Sequence, residues 1–278
     1  MSDQGNTFEH NSVQETLVLP LYGKAWCVKT YPDLFFDTDS VQVLEKLQYD
    51  FSTLDQEIHG LTGKIGALSS GLRQYSVVEE LKIYLKDHPR AAVVNMGCGL
   101  DTAGHQADNG TCVFYNIDMP DVIAVRKSFF PDSEREHNIA SDLTDFTWFD
   151  AIDASNGAIF FATGVFLYFD KSKVKELFCA MAERFPGCRI VFDGENEKGV
   201  SMDKSIIEKA GMTITTPFGL DDPVTELSSW SDRFQVTWKG LMAAHRKIDK
   251  RFGTVFRIMA WYADKTGMSQ LDIIDFKA

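Results

Sequence analysis

The chain has 278 residues, and 28 basic against 40 acidic side chains leave a formal charge of −12. Hydrophobic residues make up 44% and charged residues 24%, the balance of a globular protein with a sizeable core. A surface this acidic repels phosphate backbones and anionic lipid, which argues against nucleic-acid and membrane partners. The longest apolar run, Ala158–Phe169, falls short of the roughly 20 residues that a bilayer-spanning helix needs. The first residues are polar, with no basic-then-apolar leader pattern. Five cysteines without C-x-x-C spacing read as reduced thiols, so a cytoplasmic protein is expected. Six histidines without an H-x-x-x-H pair give no reason to expect a metal site.

In chain order, residues 1–12 read as a frayed tail, and Val13–Gly71 as interrupted helices forming a cap. Gly60, Gly63 and Gly66 punctuate that stretch. From Tyr75 the rhythm becomes strand–helix alternation. Val77, Val78, Leu81, Tyr84 and Leu85 share a helical face that ends at His88-Pro89. Strands are expected at Ala91–Met96, Thr111–Ile117, Glu136–Ala140, Ala158–Ala162 and Arg189–Asp193, with an amphipathic helix over Lys171–Phe185. A helix over Val200–Gly211 and strands at Phe234–Trp238 and Leu271–Phe276 follow, with a helix near or beyond Gly240–Arg251. Nearly continuous apolar strands separated by helices imply a mostly parallel, doubly wound α/β sheet covered on both faces. The expected organisation is a tail and cap over 1–75, a Rossmann-like core over 76–195, a lid insertion over 196–232 and closing strands over 233–278.

Four features fall where such a sheet binds ligands, at the C-terminal ends of its strands. After the first strand comes Asn95-Met96-Gly97-Cys98-Gly99-Leu100-Asp101-Thr102. Gly97 and Gly99 let the backbone turn tightly and approach a ligand. A dinucleotide fingerprint would place a third glycine where Thr102 stands, which favours S-adenosylmethionine over NAD. Asp118 ends the second strand, where a carboxylate can accept ribose hydroxyls; it could equally be a solvated loop residue. Asp142 and Leu143 follow the third strand and could take an adenine, or Asp142 could cap a helix. Thr163-Gly164-Val165 ends the fourth strand, where a methyl donor would meet its acceptor.

These motifs, with Pro20–Ala25, Leu34–Asp37, Gly71-Leu72-Arg73, His88-Pro89 and Ile117–Ile123, resemble the leucine carboxyl methyltransferase family, in particular its bacterial branch like the tetracenomycin-type polyketide O-methyltransferases. The resemblance spans about residues 17–193. It implies a seven-stranded methyltransferase sheet and O-methyl transfer from S-adenosylmethionine, with S-adenosylhomocysteine as product. It also implies cofactor contacts at Arg73 (the methionine carboxylate), Gly97, Gly99, Asp118, Asp142, Leu143 and Thr163. By the same resemblance, an acidic residue usually stands where this chain has Thr163, and commonly an arginine where it has Ala103.

Tyr22, Tyr31, Phe35 and Tyr75 supply aromatic surface for a flat small-molecule acceptor. A carboxylate acceptor would need no base; for a hydroxyl, His105 and Tyr22 are candidates that no spacing singles out, so the catalytic residue is unknown. A protein C-terminal carboxyl methyltransferase, and a cofactor-binding protein without turnover, stay open as alternatives. The sequence leaves the oligomeric state undetermined.

Overall fold

The computed structural model describes residues 13–202 and 218–278. Seven strands form one sheet: β1 (Ala92–Met96), β2 (Val113–Asp118), β3 (Glu136–Ala140), β4 (Ala158–Ala162), β5 (Arg189–Gly194), β6 (Phe234–Gly240) and β7 (Gln270–Phe276). Their order is β3-β2-β1-β4-β5-β7-β6, parallel except for β7, which pairs antiparallel with both β5 and β6. The chain thus winds outward from β1 to β3 and returns on the other side of β1 as β4, leaving a crevice between their C-terminal ends.

The two faces explain the unbroken apolar strands. Val93, Ile159, Phe161 and Val191 point to one side, against Val77, Val78, Leu81 and Leu85 of α4 (Leu61–Asp87). Val94, Phe160 and Phe192 point to the other, against Val174, Leu177, Phe178 and Met181 of α7 (Lys171–Arg184). Period-2 alternation is therefore present but invisible as polarity, because both faces are covered. At the β6 edge the alternation reappears: Phe234 and Val236 are buried, Gln235 and Thr237 exposed.

The cap consists of α1 (Val13–Thr30), α2 (Thr38–Lys46), α3 (Ser52–Glu57) and the first half of α4. Gly60 does separate two helices, standing between α3 and α4 at the start of the latter, but Gly63 and Gly66 lie inside α4 and do not interrupt it. α4 runs unbroken for 27 residues through position 75 and joins cap to core. Further along α4, Gly71 allows close packing: a Cβ there would lie 2.9 Å from both Cys27 Sγ and Phe35 Cε1. The remaining helices are α5 (Ala103–Gln106), α6 (Pro120–Phe129), α8 (Pro223–Ser228) and α9 (Thr254–Thr266). That last helix lies beyond residues 240–251, which are largely irregular. Of the expected 200–211 helix, residues 197–202 are helical; the rest, with much of the expected lid, lies outside the described residues. No described helix is long and apolar enough to cross a membrane.

Candidate functional site

Gly97 and Gly99 stand in the crevice between β1 and β4 with φ of +64° and +45°, in the left-handed region that favours glycine. Side chains there have no room: a Cβ on Gly97 would sit 2.6 Å from Val165 Cγ2, and one on Gly99 2.9 Å from Leu17 Cδ2. The β1 turn is thus in contact with the β4 turn on one side and with α1 on the other. Leu100 completes the seat, buried with Val18 and Leu21 of α1.

Asp118, at the end of β2, holds the turn. Its Oδ2 accepts the Gly99 N–H at 2.7 Å and its Oδ1 the Met119 N–H at 2.8 Å. Burial raises its pKa against those bonds. A carboxylate offers about four lone-pair sites, so each oxygen keeps capacity for a hydroxyl donor. Asp142 stands past the end of the neighbouring β3, which pairs with β2 so that Ala140 lies opposite Asp118. Its Oδ1 accepts from both the amide and hydroxyl of Thr144 at 2.8 Å, making a local turn. Leu143 is buried, and its carbonyl accepts the Trp148 indole N–H at 3.3 Å.

Arg73 reaches from α4 to the ends of β4 and β5. Its Nη1 bonds Asp193 Oδ2 at 3.0 Å, and Asp193 Oδ1 accepts the Gly164 N–H at 2.7 Å. Thr163, beside Gly164, places its hydroxyl 3.5 Å from Asp101 Oδ2. Asp101 in turn bonds Lys24 Nζ at 2.5 Å and accepts the Ala103 N–H at 2.7 Å. Burial pushes Asp101 up, but the Lys24 ammonium and these hydrogen bonds outweigh it, and its pKa is lowered.

Four contributors had no role assigned from the sequence, although Lys24, Asp101 and Asp193 lie in segments it singled out: Lys24, Asp101, Arg126 and Asp193. Arg126 of α6 is 1% exposed, and its Nη1 donates to the carbonyls of Gly99 and Asp101 at 3.1 and 2.8 Å. It fixes the back of the glycine turn. Thr102, noted for the glycine it replaces, donates to Asp37 Oδ2 at 2.7 Å, and Gln74 donates to the same oxygen at 2.8 Å. The cap is thereby tied to the turn. The acidic residue of the Leu34–Asp37 string was visible; its distant partners were not.

Three of the four aromatic candidates, Tyr31, Phe35 and Tyr75, gather around Phe252 and Arg246 within the cap, where they pack on one another. Tyr31 packs edge-on against Phe252 at 5.0 Å, and Phe35 stacks on the same ring at 6.1 Å. Tyr75 lies under the Arg246 guanidinium at 4.0 Å. Tyr22 donates to Asp55 Oδ1 at 2.6 Å, and burial, with that bond, raises its pKa. It lines a cleft of the cap with Trp26, Tyr49 and Phe51. His105 is held between Asp39 and Glu136 at 3.1 Å each. Both candidate bases are therefore engaged elsewhere.

Residues 73–182 match the sequence profile of the family described as leucine carboxyl methyltransferase. A curated relative, the tetracenomycin polyketide synthesis O-methyltransferase TcmP of Streptomyces glaucescens, is 24% identical over 267 residues and covers 91% of this chain and 94% of its own. Among solved structures, an inferred methyltransferase from Thermobifida fusca YX has a TM-score of 0.63 at 13% identity, with 97% of both chains covered. Human N-acetylserotonin methyltransferase, solved with SAM, has a TM-score of 0.50 at 12% identity, covering 93% of this chain and 72% of that one. The chain has the class I S-adenosylmethionine-dependent methyltransferase fold and is related, at low identity, to the leucine carboxyl methyltransferase and TcmP families.

Proposed function

We propose that this chain transfers a methyl group from S-adenosylmethionine to an oxygen of a small-molecule acceptor, as a cytoplasmic enzyme. The observation that carries the reading is the glycine turn locked to Asp118 at 2.7 Å, at the mouth of the β1–β4 crevice and on the same sheet edge as Arg73. The groups available there match the donor's chemistry: a cation for its carboxylate, a half-buried carboxylate for its ribose and close-approach backbone between them. When bound, the donor supplies an electrophilic methyl on a sulfonium that needs no further activation.

The chain's own work is then to hold and to exclude water. In this reading Arg73 takes the carboxylate, Asp118 the ribose hydroxyls, Asp142 the adenine amino group, and Leu143 the ring. Gly97 and Gly99 let the backbone close on the donor. α1, seated on Leu100 and against Gly99, screens the turn from solvent. An acceptor that is already anionic, such as a carboxylate, fits best with His105 and Tyr22 both bonded to other side chains. The relation to TcmP favours a small molecule over a peptide terminus.

A second reading, cofactor binding without turnover, is favoured by the uncharged Thr163. Equilibrium dialysis with labelled S-adenosylmethionine tests the site. Asp118→Ala is expected to weaken binding at least ~10-fold, the scale of a charge-assisted hydrogen bond, with an unchanged circular dichroism spectrum. Unaltered affinity in that folded variant would sink the assignment. Product formation across carboxylate and phenol acceptors then separates the two readings.

A further inference from the structure

Two ion pairs flank the β4 turn, and each runs from a cap helix to the ligand edge of the sheet. Lys24 of α1 meets Asp101 at 2.5 Å, and Arg73 of α4 meets Asp193 at 3.0 Å. Their carboxylates touch consecutive residues: Asp101 lies 3.5 Å from the Thr163 hydroxyl, and Asp193 accepts the Gly164 N–H. All four side chains are largely withdrawn from water, at 7% and 11% exposure for the first pair and 23% and 14% for the second.

Buried pairs of this kind are poor sources of stability, because desolvation consumes most of the Coulombic gain. Two of them around one turn are better explained by a ligand that carries both signs. The donor in the reading above ends in an α-ammonium and an α-carboxylate. The side chain at the end of β4 beside that end of the donor is the uncharged Thr163. The charge is nonetheless present, one residue-contact away, on Asp101. Lys24 and Asp193 both lie outside the stretch that matches the family profile.

We propose that Asp101 supplies the negative charge for the donor's ammonium in place of the residue at 163, while Arg73 takes the carboxylate. Lys24 and Asp193 are positioning residues: Lys24 holds Asp101 against Thr163, and Asp193 holds one guanidinium nitrogen and leaves the remaining donors of Arg73 to the ligand. This rests on the methyl-donor reading and names how its amino-acid end is read.

The test is titration calorimetry of the folded protein with two probes, S-adenosylhomocysteine and 5′-methylthioadenosine, which keeps the nucleoside and lacks the amino-acid end. The wild type is expected to prefer the first. Asp101→Asn should cut that preference roughly 10- to 100-fold, the range of a charged hydrogen bond, while 5′-methylthioadenosine binds within about threefold of wild type. Asp193→Asn should shrink the preference less. Relocating the carboxylate, in the double variant Asp101→Asn/Thr163→Glu, should restore what the single variant lost. If Asp101→Asn does not fold, Lys24→Met/Asp101→Asn removes both charges, and the same loss of preference is expected. An unchanged preference in Asp101→Asn, or no recovery in the double variant, overturns the proposal while leaving the donor site standing. Binding of neither probe to the folded wild type overturns both.

Discussion

Asp272 shows at the scale of one residue how a charge is handled next to the site. It lies on β7 opposite Phe192, is 0% exposed, and neither of its oxygens has a hydrogen-bond partner among the described residues. Burial, reinforced by nearby Asp193, raises its pKa well above the usual carboxylate range. An acid shifted that way stays protonated in the folded chain where the unfolded chain ionises. It therefore costs stability increasingly as pH rises above about 4. Asp272→Asn is expected to stabilise the protein at pH 7 by on the order of 1 kcal/mol or more, because an amide of the same shape has no ionisation to forgo on folding. That gain should shrink towards pH 4. Urea unfolding of both proteins at the two pH values checks it; a variant less stable at pH 7 contradicts it. Arg126 is the opposite case, a buried cation whose bonds to Gly99 and Asp101 carbonyls make its removal costly.

Between elements, a histidine joins the cap to the core. His105 of α5 bonds Asp39 of α2 through Nδ1 and Glu136 of β3 through Nε2, with Arg126 nearby as the opposing charge. Burial lowers its pKa, but the two carboxylates outweigh that and bring it to about 9. The folded value exceeds the unfolded one near 6.5, so this contribution is complete below about 6.5 and lost as pH rises through about 9. Its upper bound is on the order of 3 kcal/mol. Chemical denaturation at pH 6 and pH 9.5 is expected to show a decline that His105→Gln reduces. An equal decline in the variant would remove His105 as its source. Such a latch had no local signature, since Asp39, His105 and Glu136 are 66 and 31 residues apart in the chain and no spacing links them. The strands were legible for the opposite reason. β1, β2, β4 and β5 are short, largely apolar runs, made nearly continuous because both faces are covered, whereas β3 (Glu136–Ala140) carries three polar residues and gave a weaker pattern. The extent of α4 was not legible, because glycines that permit close helix packing look in sequence like glycines that end a helix.

At the scale of the molecule, the strand order puts the turns after β1 and β4 side by side at the one place where the chain reverses its winding. The residues proposed to hold the donor come to this edge from α1 and α4 and from the ends of five strands, β1 to β5. Gly97, Gly99 and Asp118 could be read from the sequence because each marks a strand end. Lys24, Asp101 and Asp193 could not, because they join cap to sheet across 77 and 120 residues of chain. The central claim is that this edge holds S-adenosylmethionine and not a dinucleotide. Titration of the purified protein with S-adenosylhomocysteine and, separately, NAD tests it most directly. Micromolar binding of the first and no heat from the second are expected; a folded sample that binds NAD, or neither compound, rules the donor site out.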